Sequence, residues 1–191
     1  MQEEIREILR SSASVKLKMA EDPGMLKQIA SAADRVLAAV RAGGTIYLCG
    51  NGGSATDAMH FCEELVGRYK HERRGTKAMH FMDPGYLTCW ANDYEYETVF
   101  SRQVETFCTS QDLLVLITTS GNSKNILQAY AAAQAKGCPV IILTGKDGGK
   151  IAKLSNDCIV IPTSMTEHVQ EAHITLIHIF CEMIERSGLL K

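Results

Sequence analysis

The sequence predicts an α/β protein: a doubly wound sheet of about five parallel strands, preceded by a helical hairpin. Three observations predict it. Five short apolar runs punctuate the chain: TIYLC (45–49), KAMHF (77–81), LLVLIT (113–118), PVIILT (139–144) and DCIVIP (157–162). Three of them are continuously apolar, as strands buried on both faces of a parallel sheet must be. Between them lie segments whose apolar residues recur at helical spacing.

The elements follow in order. Residues 2 to 20 carry Ile5, Ile8 and Leu9 at helical spacing, and residues 25 to 41 carry Ile29, Ala33, Val36, Leu37 and Val40. EDPG at 21–24 breaks the pattern between them, which makes a helical hairpin, and AGG at 42–44 ends its second arm. Strand and helix then alternate, with helices expected near 55–68, 96–108 and 123–136 and a last one over 167–187. The chain of 191 residues reads as a single domain, with 1–42 as the hairpin and 43–191 as the α/β core. It has no internal repeat, low-complexity tract or linker.

Composition narrows the class. A net charge of −2 gives no electrostatic reason to expect a nucleic-acid partner, and KHERR at 70–74 reads as a solvated loop. The seven cysteines form no CxxC pair and mostly sit in apolar surroundings, as reduced, buried thiols do. MQEEIREILRSS has no apolar signal core, and no apolar run approaches the ~20 residues of a membrane span. A soluble, cytoplasmic protein with no membrane partner is expected.

In an open parallel sheet, ligands bind beyond the carboxyl ends of the strands. Three loops there are rich in Gly, Ser and Thr: GNGGS (50–54), TTSGNS (118–123) and TGKDGGK (144–150). TTSGNS gathers the hydroxyls of Thr118, Thr119, Ser120 and Ser123 where a helix begins. It is either an anion site suited to phosphate or a turn with an ordinary serine cap. GNGGS is neither a Walker A motif nor a GxGxxG fingerprint, which disfavours a nucleotide-binding Rossmann domain. TGKDGGK, despite Lys146 and Lys150, reads as a tight turn.

His60 and Glu64 lie four residues apart on the helix that leaves the glycine loop, so both project from one face. On the last helix, Gln170 and His178 fall within about 80° of one another, while His173 points away. Two imidazoles, a carboxylate and an amide suit a borderline metal such as zinc, and equally suit general acid–base catalysis. His71, His80 and His168 read as hydrogen-bonded core histidines.

GNGGSATDAMHFCEELVGRY, AND at 91–93, TTSGNS, LTGKDGG and HVQEAHITLIHIF, in that order, resemble the phosphoheptose isomerases of the SIS (sugar isomerase) superfamily. The resemblance runs over essentially the whole chain. It implies a three-layer α/β/α SIS fold, a homotetramer with active sites between subunits, and one zinc ion per subunit. The implied reaction turns the sugar phosphate D-sedoheptulose 7-phosphate into D-glycero-D-manno-heptose 7-phosphate through an enediolate. By the matching motifs, Asn51, Gly52, Gly53, Ser54, Asn92, Asp93 and Gln170 would touch substrate. Thr118, Thr119, Ser120 and Ser123 would hold its phosphate. His60, Glu64, Gln170 and His178 would be metal ligands, with Glu64 and His178 also the acid–base pair.

The sequence departs from the family at Thr118, where serine is general, and at His168, where an arginine is usual. A non-catalytic relative that binds the replication initiator shares the fold and loops but lacks the acidic and imidazole pair. Glu64 and His178 therefore favour the enzyme, with another ketose phosphate as the alternative substrate.

Overall fold

The computed structural model describes residues 1–190. Five parallel strands, β1 (Ile46–Gly50), β2 (Ala78–His80), β3 (Leu113–Ile117), β4 (Val140–Gly145) and β5 (Cys158–Ile161), form one sheet in the order β2-β1-β3-β4-β5. Strand order reverses between β1 and β3, and the crevice outside their carboxyl ends is where this topology places ligands.

Successive residues of each strand face opposite layers. Ile46 and Leu48 of β1, with Leu113, Val115 and Ile117 of β3, join one core; Tyr47, Cys49, Leu114 and Leu116 join the other. The first core is covered by α2 (Pro23–Ala42), α3 (Gly53–Val66) and α7 (Thr166–Ser187). The second is covered by α5 (Val99–Phe107) and α6 (Lys124–Ala135). This is the expected α/β/α architecture.

The hairpin is present as α1 (Gln2–Glu21) and α2. Asp22 joins them, its carboxylate accepting from the backbone N–H of Gly24 and Met25 while Pro23 opens the new helix. α2 ends at Gly43 with φ at 70°, a left-handed cap. α1 is amphipathic but buries only Val15 and Met19, leaving Ile5, Ile8, Leu9 and Leu17 at least half exposed.

Three expectations need correction. PGYLTCWAND, unassigned from sequence, is a helix, α4 (Pro84–Asp93); it buries no residue fully, and its apolar contact is a short stripe of Leu87, Trp90 and Ala91. The helix expected over 96–108 is a 3₁₀ turn, Tyr96–Thr98, followed by α5. His71 is exposed, whereas Arg73, expected in a solvated loop, has a side chain only 6% exposed.

His173 packs α7 onto β4. It is fully buried, and its Nε2–H donates to the carbonyl of Thr144 at 3.2 Å. Burial pushes its pKa down to about 4 although the hydrogen bond opposes the shift. The unfolded chain therefore takes up this proton first as pH falls. Its contribution is complete above about pH 6.5 and is lost as pH falls toward 4, about 3 kcal/mol in all. Urea denaturation of His173→Gln across this window should give a flatter acid limb than the parent; equal slopes would remove His173 as the cause.

Candidate active site

Two loops meet at the crevice. The first, 51–52, turns β1 into α3. Gly50 lies so close to Ser54 that a Cβ there would sit 2.5 Å from its carbonyl oxygen, and Gly52 caps α3 with φ at 56°. Gly53 faces α7: a Cβ on it would meet the Gln170 amide at 2.2 Å. Two sequence-predicted residues, from opposite ends of the chain, are thus in contact. Ser54 is buried in the first turn of α3.

The second loop, 118–123, turns β3 into α6. Ser123 occupies the N-cap position, but its hydroxyl oxygen accepts no cap bond from the backbone, which leaves the hydroxyl uncommitted. Thr118 is buried and its Oγ1 accepts from the N–H of Gly121 at 3.3 Å; the Ser120 Oγ accepts from Asn122 at 3.3 Å. Thr119 is half-buried beside them. TGKDGGK is the turn expected of it, and it also braces this loop. A Cβ on Gly121 would lie 2.0 Å from the carbonyl oxygen of Gly148, and one on Gly149 would lie 2.3 Å from that of Ser120. Ile151 donates to the Gly121 carbonyl at 3.1 Å and Lys150 to the Asn122 side chain at 3.1 Å.

Asn51 ties the loops together. Its amide pairs reciprocally with that of Asn125 at 2.9 Å in each direction, and Tyr96 OH donates to its Oδ1 at 2.8 Å. A cavity of about 410 Å³ opens here, lined by Asn51, Tyr96, Glu97, Ser123, Lys124 and Asn125. Tyr96 and Asn125 were not anticipated. Asn125 lies two residues beyond the last serine of TTSGNS, whereas Tyr96 carries no signal in the sequence. Asn92 and Asp93 end α4, exposed, and bond to each other at 2.9 Å, with Cys89 Sγ 3.6 Å from Asp93. They make no hydrogen bond to the other candidates among the described residues.

Along α3 from the first loop, His60 and Glu64 face α7. His60 Nε2 lies 3.4 Å from Glu64 Oε1 and 3.1 Å from His178 Nε2, and one ligand atom of each residue falls within 4.8 Å of the other two. Atoms bound to a tetrahedral zinc at about 2.0–2.1 Å would be about 3.4 Å apart. Donor types and spacing therefore fit such an ion. The His178 ring is stacked on Tyr69 at 5.8 Å and meets His60 edge-on at 5.3 Å.

His168, in the first turn of α7, is buried; its Nε2 lies 3.1 Å from Ser11 Oγ of α1 and its Nδ1 lies 3.5 Å from Glu171. Ser12 also bonds Glu171. His168 thus joins α7 to α1.

This geometry can be set beside known proteins. A family model described as the SIS domain matches residues 12–145. A phosphoheptose isomerase from Pectobacterium atrosepticum is 46% identical over 186 residues, spanning 97% of this chain and 96% of its own. The chain belongs to the phosphoheptose isomerase family of SIS-domain proteins. Another member, from Cytophaga hutchinsonii, is 44% identical over 182 residues, 95% of either chain. The solved structure of phosphoheptose isomerase GmhA from Neisseria gonorrhoeae matches with a TM-score of 0.90 at 37% identity, covering 97% of this chain and 98% of its own. The SIS-domain match includes both loops and α3 but stops before α7, so the His178 side of the crevice rests on these near-full-length phosphoheptose isomerase relatives.

Asp57, one turn before His60, is half-buried with Oδ2 unpartnered. Burial pushes its carboxyl up to about 6, with His60 opposing. The folded state therefore holds this proton more tightly than the unfolded chain, whose carboxyl titrates near 3.8. Stability is lost as pH rises from about 4 to 6. Asp57→Asn should be more stable than the parent at pH 7, by about 1 kcal/mol after solvent screening, and indistinguishable below pH 4. Thermal melts at the two pH values test this; a pH-independent difference would contradict it.

Proposed function

We propose that this chain interconverts D-sedoheptulose 7-phosphate and D-glycero-D-manno-heptose 7-phosphate, the opening step toward nucleotide-activated heptose. The observation that carries the proposal is the His60–Glu64–His178 cluster on α3 and α7, the first of which leads directly out of the glycine loop. The relatives named phosphoheptose isomerase supply the substrate.

An aldose–ketose isomerisation moves one carbon-bound proton between adjacent carbons and one hydroxyl proton between their oxygens. In this reading the phosphate lies on Thr118, Thr119, Ser120 and Ser123, where the free N-terminal N–H groups of α6 and the uncommitted Ser123 hydroxyl favour an anion. Asn51, Gly52, Gly53, Ser54, Asn92, Asp93 and Gln170 hold the sugar. Glu64 takes the proton from C1 of the ketose and returns it to C2. His178 carries the proton from the C1 oxygen to the C2 oxygen, so atoms and charge balance.

His60, Glu64, His178 and Gln170 would hold a zinc ion, which supplies Lewis-acid stabilisation of negative charge on those oxygens. A carboxylate committed to a metal is a weaker base, so Glu64 must exchange between the two tasks or leave one of them. A homotetramer is part of the same reading: the exposed apolar face of α1, with Ile5, Ile8 and Leu9, needs covering. No helix among the described residues is long and apolar enough to cross a membrane, and a cytoplasmic setting suits seven free thiols.

The test is an NMR time course of sedoheptulose 7-phosphate with the purified protein, with zinc and with chelator. The expected outcome is heptose 7-phosphate formation that chelator suppresses. Glu64→Gln should lower kcat by about 10²–10⁴-fold, the range for loss of a general base. No conversion, with inorganic phosphate still binding, would overturn the isomerase assignment.

A further inference from the structure

The loop of residues 67–77 between α3 and β2 contains a buried cation that the proposed chemistry does not use. Arg73 Nη2 donates to the carbonyl of Glu64 at 2.6 Å, and Nη1 donates to those of Leu65 and Arg74 at 3.1 Å. Those of Glu64 and Leu65 are among the last carbonyls of α3, which have no partner within the helix and where positive charge is favourable. Arg73 Nε faces Glu185 of α7 at 3.7 Å, and both side chains are almost wholly buried, 6% and 7% exposed.

Glu185 is committed on its other side. Its Oε1 accepts from the backbone N–H of Lys70 at 2.9 Å and of His71 at 3.2 Å. Burial alone would raise its carboxyl pKa; those two N–H groups, with the charges of His71 and Arg73, outweigh it and hold the group below its ordinary value. Glu185 is therefore an anion inside the protein, and Arg73 is its neutralising cation. One turn earlier on α7, Glu182 pairs with Lys70.

The pair thus links the end of α3, at the carbonyl of Glu64 itself, to α7, which carries His178 two turns before Glu185. The same loop supplies Tyr69, stacked on the His178 ring. We propose that Arg73 and Glu185 form a buried bridge that fixes the spacing of Glu64 and His178, which makes Arg73 a positioning residue for the site. This rests on the reading of His60, Glu64 and His178 as the working cluster. Residues that orient a metal site in this way typically change its affinity by 10–100-fold when removed.

Four proteins decide it: the parent, Arg73→Met, Arg73→Lys and Arg35→Met. The last breaks an ion pair with Asp157 at the amino-terminal edge of β5, far from this loop in the fold, and controls for general loss of stability. The first readout needs neither metal nor activity: the imidazole NMR resonances of His60 and His178 in metal-free protein. Arg73→Met should shift both, Arg73→Lys should shift them less, and Arg35→Met should leave them in place. The second readout is Co²⁺ binding followed by its visible absorption. Arg73→Met should weaken it at least tenfold, with partial recovery in Arg73→Lys.

Unmoved imidazole resonances in a folded Arg73→Met, or equal shifts in Arg35→Met, would overturn the bridge. If Arg73→Met does not fold, Arg73→Lys carries the same test. A parent that binds no Co²⁺ would sink the metal reading of the cluster, while the resonances would still decide the bridge.

Discussion

Five ladder pairs, from Ile46 opposite Leu113 to Gly50 opposite Ile117, hold β1 beside β3. Because both strands end at the same level, the loops that follow them emerge side by side, and everything proposed for the site depends on that pairing. It is secured by burial on both faces: every residue of either strand is buried. A register slip would move the glycine loop away from the serine loop and break the Asn51–Asn125 amide pair between them. The layers of α2, α3 and α7 on one side and α5 and α6 on the other prevent that slip.

The two loops achieve their shape differently. The loop after β1 is shaped at its two ends, where α3 crowds Gly50 and Gln170 of α7 fills the space a side chain on Gly53 would need. The loop after β3 is shaped by backbone packed on backbone, Gly121 against Gly148 and Gly149 against Ser120. Gly50, Gly53, Gly121 and Gly149 have no room for a Cβ, so close packing sets the loops alongside the Asn51–Asn125 amide pair that ties them together. Hydroxyls and N–H groups that would otherwise be spent on holding the loop, such as those of Ser123, stay available.

What the sequence disclosed follows from this. Strands buried on both faces read plainly as LLVLIT or PVIILT, and the hairpin announced itself through Asp22–Pro23 and the apolar spacing of α2. α4 did not, because its apolar stripe is only Leu87, Trp90 and Ala91, little more than one turn; a plainer signal was Asp83 capping ahead of Pro84. In the site, the i, i+4 relation of His60 and Glu64 could be read directly. That His178 would come within hydrogen-bonding distance of His60 could be expected only from resemblance, since it depends on how two distant helices pack. Arg73 was read as solvated because its neighbours are charged. Its burial depends on Glu185, which lies in another element and leaves no local trace. The interlocking of Gly121 with Gly148 was hidden for the same reason.

The division of the cluster between α3 and α7 has a consequence for how the protein is made. Chains leave the ribosome amino-terminus first and begin to organise in that order. All five strands, both loops, His60 and Glu64 precede residue 162, whereas Gln170 and His178 follow it. A nascent chain therefore has its whole sheet before it has its site. Until α7 docks against α2 and α3, the reactive groups are kept apart, and a product truncated before α7 lacks Gln170, His178 and a helix that helps cover one face of its sheet.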